Sequence, residues 1–134
     1  MTAIAAVKAF IVRDGRFLGL ELEIGRKRLW DLPGGKVEDG EEPMHTLLRE
    51  VKEEVGLDVS VGKALGVYWF HRKTDGNLVV CTVFACEADP AAKVILPHKS
   101  NEGIASSKWV SKEEFFGKEF EAPESLKKLV ADNL

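Results

Sequence analysis

One segment of this chain, residues 35–57, carries glycines and glutamates at a spacing that constrains both its local fold and its chemistry. It reads GKVEDGEEPMHTLLREVKEEVGL. Nine positions define the spacing: Gly35, Glu41, Arg49, Glu50, Val51, Glu53, Glu54, Gly56 and Leu57. Pro43 suits the first turn of a helix, and Gly56 suits the position just after one. The segment therefore predicts a helix over about residues 43–55.

Projected at about 100° per residue, this helix has one apolar and one acidic face. Glu50, Glu53 and Glu54 are neighbours on the acidic face, where three like charges repel one another. A bound cation removes that conflict, and carboxylate oxygens suit Mg²⁺ or Mn²⁺. A solvated acidic face is the alternative for such a helix taken alone. The apolar face predicts contact with the core through these residues: Met44, Leu47, Leu48, Val51 and Val55.

The spacing of residues 35–57 resembles the signature of the Nudix hydrolases at every fixed position. The preceding residues 29–34, LWDLPG, resemble the usual lead-in of that family, and Gly34 and Gly35 predict a tight turn. Weaker likeness extends from the N-terminal strand to residues 109–111. The resemblance implies an α/β fold, namely the Nudix-type α/β/α sandwich with a mixed β-sheet flanked by helices, in one domain over residues 1–134.

The resemblance also implies hydrolysis of a nucleoside diphosphate linked to another moiety, with Mg²⁺ or Mn²⁺ assisting the attack of water on the pyrophosphate bridge. By position, Glu50, Glu53 and Glu54 inherit the metal-ligand and base roles. Gly34 would offer a backbone carbonyl to the metal, and Arg49 would orient the glutamates. Such a reaction depends mainly on positioning and on neutralising a densely anionic substrate.

The identity of the general base stays open. The position of Glu50 serves in MutT-type enzymes, whereas other family members use a glutamate outside the segment. Glu102, seven residues before Trp109, lies where many Nudix chains carry a loop acid, although an ordinary exposed glutamate is the alternative. Glu41 lies just before the predicted helix, where an acid suits the helix dipole, so we expect a structural role for it.

An aromatic run near the end of a predicted strand is the candidate substrate-binding region. Tyr68 and Phe70 are candidates for stacking on a nucleobase, with core packing as the alternative, and Arg72 is a candidate phosphate contact. A nucleoside or deoxynucleoside triphosphate, cleaved to a monophosphate and pyrophosphate, is the expected substrate. ADP-ribose, a nucleotide sugar or a dinucleoside polyphosphate is the alternative. A nucleotide-binding module without catalysis is a third possibility, against which the retained carboxylates argue.

The resemblance implies a small-molecule nucleotide as the partner, and the composition argues against larger ones. The net charge is −3, which argues against an extended nucleic acid. No apolar run approaches the roughly 18–20 residues of a membrane span, and the N-terminus reads as a strand. Cys81 and Cys86 lie five apart on one predicted strand and so on opposite faces, which favours reduced thiols and a cytoplasmic location. A monomer and a homodimer are both compatible with the sequence.

The remaining pattern is that of alternating strands and helices. Asp14-Gly15 predicts a hairpin turn, and Ser111 with Glu114 predicts a capping box for a short helix. The predicted strands cover residues 3–12, 16–23, 27–32, 59–70, 78–88 and 107–110, and a C-terminal helix covers 123–133.

Overall fold

The computed structural model of this chain describes residues 2–96 and 103–134. Its strands are β1 (Ile4–Arg13), β2 (Arg16–Ile24), β3 (Lys27–Asp31), β4 (Gly34–Lys36), β5 (Val59–His71), β6 (Leu78–Ala88) and β7 (Ile104–Val110). Its helices are α1 (Pro43–Val55), α2 (Lys112–Phe115) and α3 (Glu124–Asn133).

Within those residues the strands form a seven-stranded mixed sheet with two parts. In the first part β1 runs parallel to β6, from Ile4 opposite Val79 to Ile11 opposite Cys86. The strand β4 pairs antiparallel with the other edge of β1, and β5 pairs antiparallel with β6. In the second part β2 lies between β3 and β7 and is antiparallel to both. The hairpin of β1 and β2 joins the two parts.

Side chains alternate along β1 and supply apolar cores on both faces of the sheet. Ala6 and Phe10 belong to the core that also contains the buried leucines of α3. Val7 and Ile11 belong to the opposite core, which contains Val51 and the other buried apolar residues of α1. The sheet therefore lies between α1 and α3, which confirms the predicted α/β/α sandwich.

Helix α1 has the predicted bounds, with Pro43 in its first turn. Gly56 follows the helix at φ 71°, in the left-handed region, and donates its N–H to the Lys52 carbonyl at 3.0 Å. Leu47 and Val51 are buried as expected. Leu48 was expected on the same face but is 45% exposed, because it lies at the edge of the apolar sector.

The strand β4 was not predicted, and the reading of its two glycines as a tight turn was wrong. Gly34 and Gly35 instead pair with Lys8 and Val7 of β1. Gly34 has φ 145°, and a Cβ atom there would lie 2.0 Å from the Val7 carbonyl oxygen. Glycine is required at this position because the backbones approach so closely. The strand β7 also begins earlier than predicted, at Ile104.

Two further predictions can be compared with the structure. Cys81 and Cys86 lie in opposite cores and form no disulfide, as their spacing indicated. The capping box is confirmed, since Ser111 accepts from the Glu114 N–H and the Glu114 side chain accepts from the Ser111 N–H. In the part of the chain that the structure describes, no helix is long and apolar enough to cross a membrane.

Candidate active site

The acidic face of α1 packs directly against β4. The backbone N–H of Gly34 donates to Glu54 Oε1 at 2.7 Å, and Glu54 is only 6% exposed. A Cβ atom on Gly35 would lie 2.6 Å from Glu50 Cδ. The two glycines therefore allow the carboxylates of Glu50 and Glu54 to lie against the strand backbone, where larger residues would push the helix away.

Arg49 holds three carboxylates together on this face. Its Nε and Nη2 atoms donate to Glu41 Oε2 at 2.9 Å and to Glu41 Oε1 at 3.0 Å. Its Nη1 atom donates to Glu50 Oε1 at 3.0 Å and lies 3.3 Å from Glu53 Oε2. The guanidinium therefore contacts all three glutamates, and the family resemblance predicts that it orients them.

Glu41 has a more specific contact than the expected interaction with the helix dipole. The hydrogen bonds from Arg49, with a further one from the Thr46 hydroxyl at 2.7 Å, lower the pKa of Glu41 from 4.5 to about 2. The same hydrogen bonds, with help from Glu50, raise the pKa of Arg49. Glu41 thus binds the Nε and Nη2 atoms of the guanidinium, whereas the Nη1 atom faces Glu50 and Glu53. The sequence could have suggested this, since Glu41 and Arg49 are oppositely charged.

The carboxylates differ in their access to solvent. The Glu50 side chain is 12% exposed, whereas that of Glu53 is 58% exposed. Among residues 2–96 and 103–134, no three histidine, cysteine, aspartate or glutamate side chains already surround a metal-sized point. Glu53 is accordingly the carboxylate best placed to turn toward a ligand. Glu102 lies outside the described residues.

A cleft of about 1010 Å³ opens between the ends of β2, β3 and β5. The three predicted substrate-binding residues, Tyr68, Phe70 and Arg72, all line it. The Tyr68 ring is nevertheless only 1% exposed, because it belongs to the core, and it stacks on Phe70 at 6.4 Å between ring centroids. The Arg72 guanidinium is bound by Asp75 within its own turn, through both carboxylate oxygens.

Sequence reasoning missed a buried ion pair at the floor of this cleft. Lys8 Nζ donates to Asp31 Oδ2 at 3.0 Å and to the Leu32 carbonyl at 3.2 Å. Burial lowers the pKa of Lys8, but Asp31, together with Cys81 and Glu54, outweighs that effect and raises the pKa. A lysine within the apolar run IAAVKAFIV was the available signal, because a lysine is almost never buried without a partner.

The cleft and the acidic site are neighbours through Lys8. On β1 it pairs with Gly34, and a Cβ atom on that glycine would lie 2.9 Å from Lys8 Cδ. The Lys8 side chain therefore runs alongside β4, the strand that contacts Glu54, and its Nζ atom then reaches Asp31. Fold and site together define a Nudix-type α/β domain, in which an acidic helix on a glycine pair adjoins a cleft of small-molecule size.

Comparison with known proteins gives the family. The NUDIX domain matches residues 3–132, and the chain belongs to this family. Over 81 residues the chain is 33% identical to the CTP pyrophosphohydrolase of Escherichia coli (strain K12), which covers 59% of this chain and 58% of that protein. Over 110 residues it is 34% identical to a MutT-like protein of Streptomyces ambofaciens, which covers 81% of this chain and 64% of that protein. The chain thus spans less than two thirds of either relative.

Solved structures agree with this assignment. The MutT protein from Methanosarcina mazei Go1 matches with a TM-score of 0.78 and 27% sequence identity, covering 97% of this chain and 91% of that chain. Nudix hydrolases generally use divalent metal ions and act on small nucleotide substrates.

Proposed function

We propose that this chain hydrolyses the pyrophosphate bond of a nucleoside diphosphate linked to another moiety, with Mg²⁺ or Mn²⁺ as cofactor. The observation that carries the proposal is the contact of the acidic helix with the glycine strand, in which Gly34 donates to Glu54 at 2.7 Å. That contact holds hard oxygen donors beside a cleft large enough for a nucleotide.

The donor set suits the proposed metal. Carboxylates of Glu50, Glu53 and Glu54, with the backbone carbonyl of Gly34, would hold it, and both Mg²⁺ and Mn²⁺ favour such oxygens. The absence of a side chain at Gly35 supports this assignment, because Glu50 occupies the space that a Cβ atom would fill. When bound, the metal supplies positive charge against the phosphates and makes the attacking water more acidic.

The residues of the chain position the reactants and accept a proton. Water adds to one phosphorus of the bridge, the bridging P–O bond breaks, and the bridging oxygen leaves on the other phosphate. The proton from water passes to a carboxylate, either Glu50 or Glu102. Arg49, anchored by Glu41, keeps Glu50 and Glu53 in place during the reaction.

A nucleoside or deoxynucleoside triphosphate is the substrate class we favour, with a monophosphate and pyrophosphate as products. The name of the E. coli relative, a CTP pyrophosphohydrolase, supports this choice. The cleft volume favours the alternative of a larger second moiety, as in ADP-ribose, a nucleotide sugar or a dinucleoside polyphosphate. At about 1010 Å³ it lies at the upper end of ordinary ligand sites.

A substrate panel tests the proposal. Triphosphates and the larger diphosphate derivatives are incubated with the chain and Mg²⁺, and the ratio of their kcat/KM values decides between the two classes. Glu50→Gln and Glu102→Gln identify the base, since the variant that lacks it loses the acidic limb of the pH–rate profile. Glu124→Gln, an exposed glutamate on α3 that pairs with Lys127, is the matched control and should retain full activity.

A further inference from the structure

Of the carboxylates that line the cleft among the described residues, that of Asp31 is the least exposed. The walls are largely apolar and aromatic, with Leu22, Leu29 and Phe70 among the lining residues. The Asp31 side chain lines the same cleft and is 17% exposed. The other lining carboxylates, Glu23 and Glu121, are more exposed than Asp31 and pair with cationic side chains of β3 at 3.7 and 3.9 Å. A polar group in such a cleft orients whatever binds there.

Three donors from the described residues fix the orientation of this carboxylate. Its Oδ1 atom accepts from the Tyr68 hydroxyl at 2.7 Å and from the Leu32 N–H at 2.8 Å. Its Oδ2 atom accepts from Lys8 Nζ at 3.0 Å. A carboxylate offers about four acceptor positions, so Oδ2 has room for one further donor. The hydrogen bonds prevent Asp31 from turning away from the cleft.

The ion pair also makes the site selective. Lys8 balances the charge of Asp31, so a ligand need not be cationic to bind there. The Asp31 carboxylate can only accept further hydrogen bonds. A ligand that presents an oxygen to it would therefore bring two acceptors into contact. Buried polar groups left unpaired in this way discriminate strongly between otherwise similar ligands.

We infer that Asp31 determines base specificity, by accepting a hydrogen bond from an amino group of the nucleobase that occupies the cleft. The inference rests on the proposed function, because it takes the cleft as the nucleoside site. Cytosine, adenine and guanine carry such amino groups, whereas uracil presents a carbonyl oxygen at the corresponding edge. Tyr68 is a positioning residue here, since its buried hydroxyl reaches Asp31 and its ring is too buried to contact the base widely.

Binding of nucleoside monophosphates to the intact chain tests this inference without requiring turnover. Three pairs isolate the amino group: CMP against UMP, AMP against purine riboside monophosphate, and GMP against IMP. For the base that binds best, we expect loss of the amino group to weaken binding roughly ten- to hundredfold by calorimetry. In Asp31→Asn the difference should fall to about threefold or less, because an amide can present either a donor or an acceptor.

Matched variants keep the test decisive. Asp58→Asn makes the same change at an exposed aspartate that pairs with Lys52, and should leave discrimination as in the wild type. If Asp31→Asn does not fold, Lys8→Met combined with Asp31→Asn removes both charges of the pair and should show the same loss. Tyr68→Phe removes the hydroxyl that donates to Asp31 and should reduce discrimination partially. Core substitutions elsewhere that keep the Tyr68 hydroxyl should not reduce it.

The outcomes separate this inference from the proposed function. Amino-group discrimination that persists in the Asp31 variants would overturn the inference, and so would tightest binding of UMP or IMP. Lack of binding of every monophosphate at millimolar concentration would also overturn it, because the cleft would then hold no nucleobase. Failure of the chain to hydrolyse any nucleotide, with discrimination intact, would instead overturn only the proposed function.

Discussion

Gly34 and Glu54 are joined by a hydrogen bond of 2.7 Å that ties the strand β4 to the acidic face of α1. The bond spans twenty residues of sequence and brings a backbone amide against a side chain that is 6% exposed. Gly34 and Glu54, two of the residues proposed to hold the metal, are therefore joined directly.

Glu54→Gln should leave the fold intact and nearly abolish turnover. Glutamine keeps an oxygen that can accept from the Gly34 N–H, but it removes the charge that would face a metal. We expect kcat to fall at least about 10²-fold, while the free energy of unfolding changes by less than about 1 kcal/mol. Steady-state kinetics and urea denaturation measure the two effects. Wild-type turnover in this variant would exclude Glu54 from the site.

Gly34→Ala should destabilise the chain strongly. A Cβ atom there would lie 2.0 Å from the Val7 carbonyl oxygen, so β1 and β4 would have to separate. We expect a loss of roughly 3 kcal/mol or more in the free energy of unfolding. Gly40→Ala is the matched control, since Gly40 also has positive φ but has nothing within 4 Å of its Cβ position. It should cost only about 1–2 kcal/mol. Equal losses would contradict the close approach.

The contribution of Glu41 to stability should disappear in acid. Its folded pKa is lowered from 4.5 to about 2, chiefly by the hydrogen bonds from Arg49. A lowered folded pKa means that the stabilisation is complete above the unfolded value and is lost as the pH falls toward the folded value. The stability advantage of the wild type over Glu41→Gln should therefore be constant above pH 4.5 and shrink between pH 4.5 and 2. Urea denaturation across that range measures it. A stability difference independent of pH would contradict the stabilising hydrogen bonds between Arg49 and Glu41.

Lys8→Met alone should lower the free energy of unfolding more than Lys8→Met combined with Asp31→Asn does. The single change leaves the Asp31 carboxylate, only 17% exposed, without its cation. We expect it to cost roughly 3 kcal/mol, and the second change to recover part of that loss. A double-mutant cycle of unfolding free energies gives the coupling. Additive effects would show that the two side chains do not interact.

The sequence predicted the elements whose signals are local. Pro43, Gly56 and the helical periodicity between them determined the bounds of α1, because caps and amphipathic faces depend on neighbours along the chain. The strand β4 could not be recognised in the same way. Two glycines have little intrinsic preference for a strand, and Gly34 is extended only because β1 lies beside it.

The site shows the same division. The spacing of Glu50, Glu53 and Glu54 is enough to predict that they share one face of the helix. Their unequal exposure depends on Arg49 and on β4, which only the tertiary structure brings together. The pairing of Lys8 with Asp31 joins residues 23 apart that no periodicity connects. The energetic cost of burying a charge predicts that a partner is present, but the topology of the fold decides which residue that partner is.

Metal-dependent cleavage by the wild type and by Glu53→Gln is the most direct test of the proposed function. Nucleoside triphosphates are incubated with each protein in Mg²⁺ or in a chelator, and the phosphorus-containing products are followed by ³¹P NMR. We expect the wild type to release a nucleoside monophosphate and pyrophosphate only with the metal, and Glu53→Gln to be slower by at least about 10²-fold. Unchanged turnover in Glu53→Gln, or metal-independent cleavage by the wild type, would contradict the role assigned to the acidic helix.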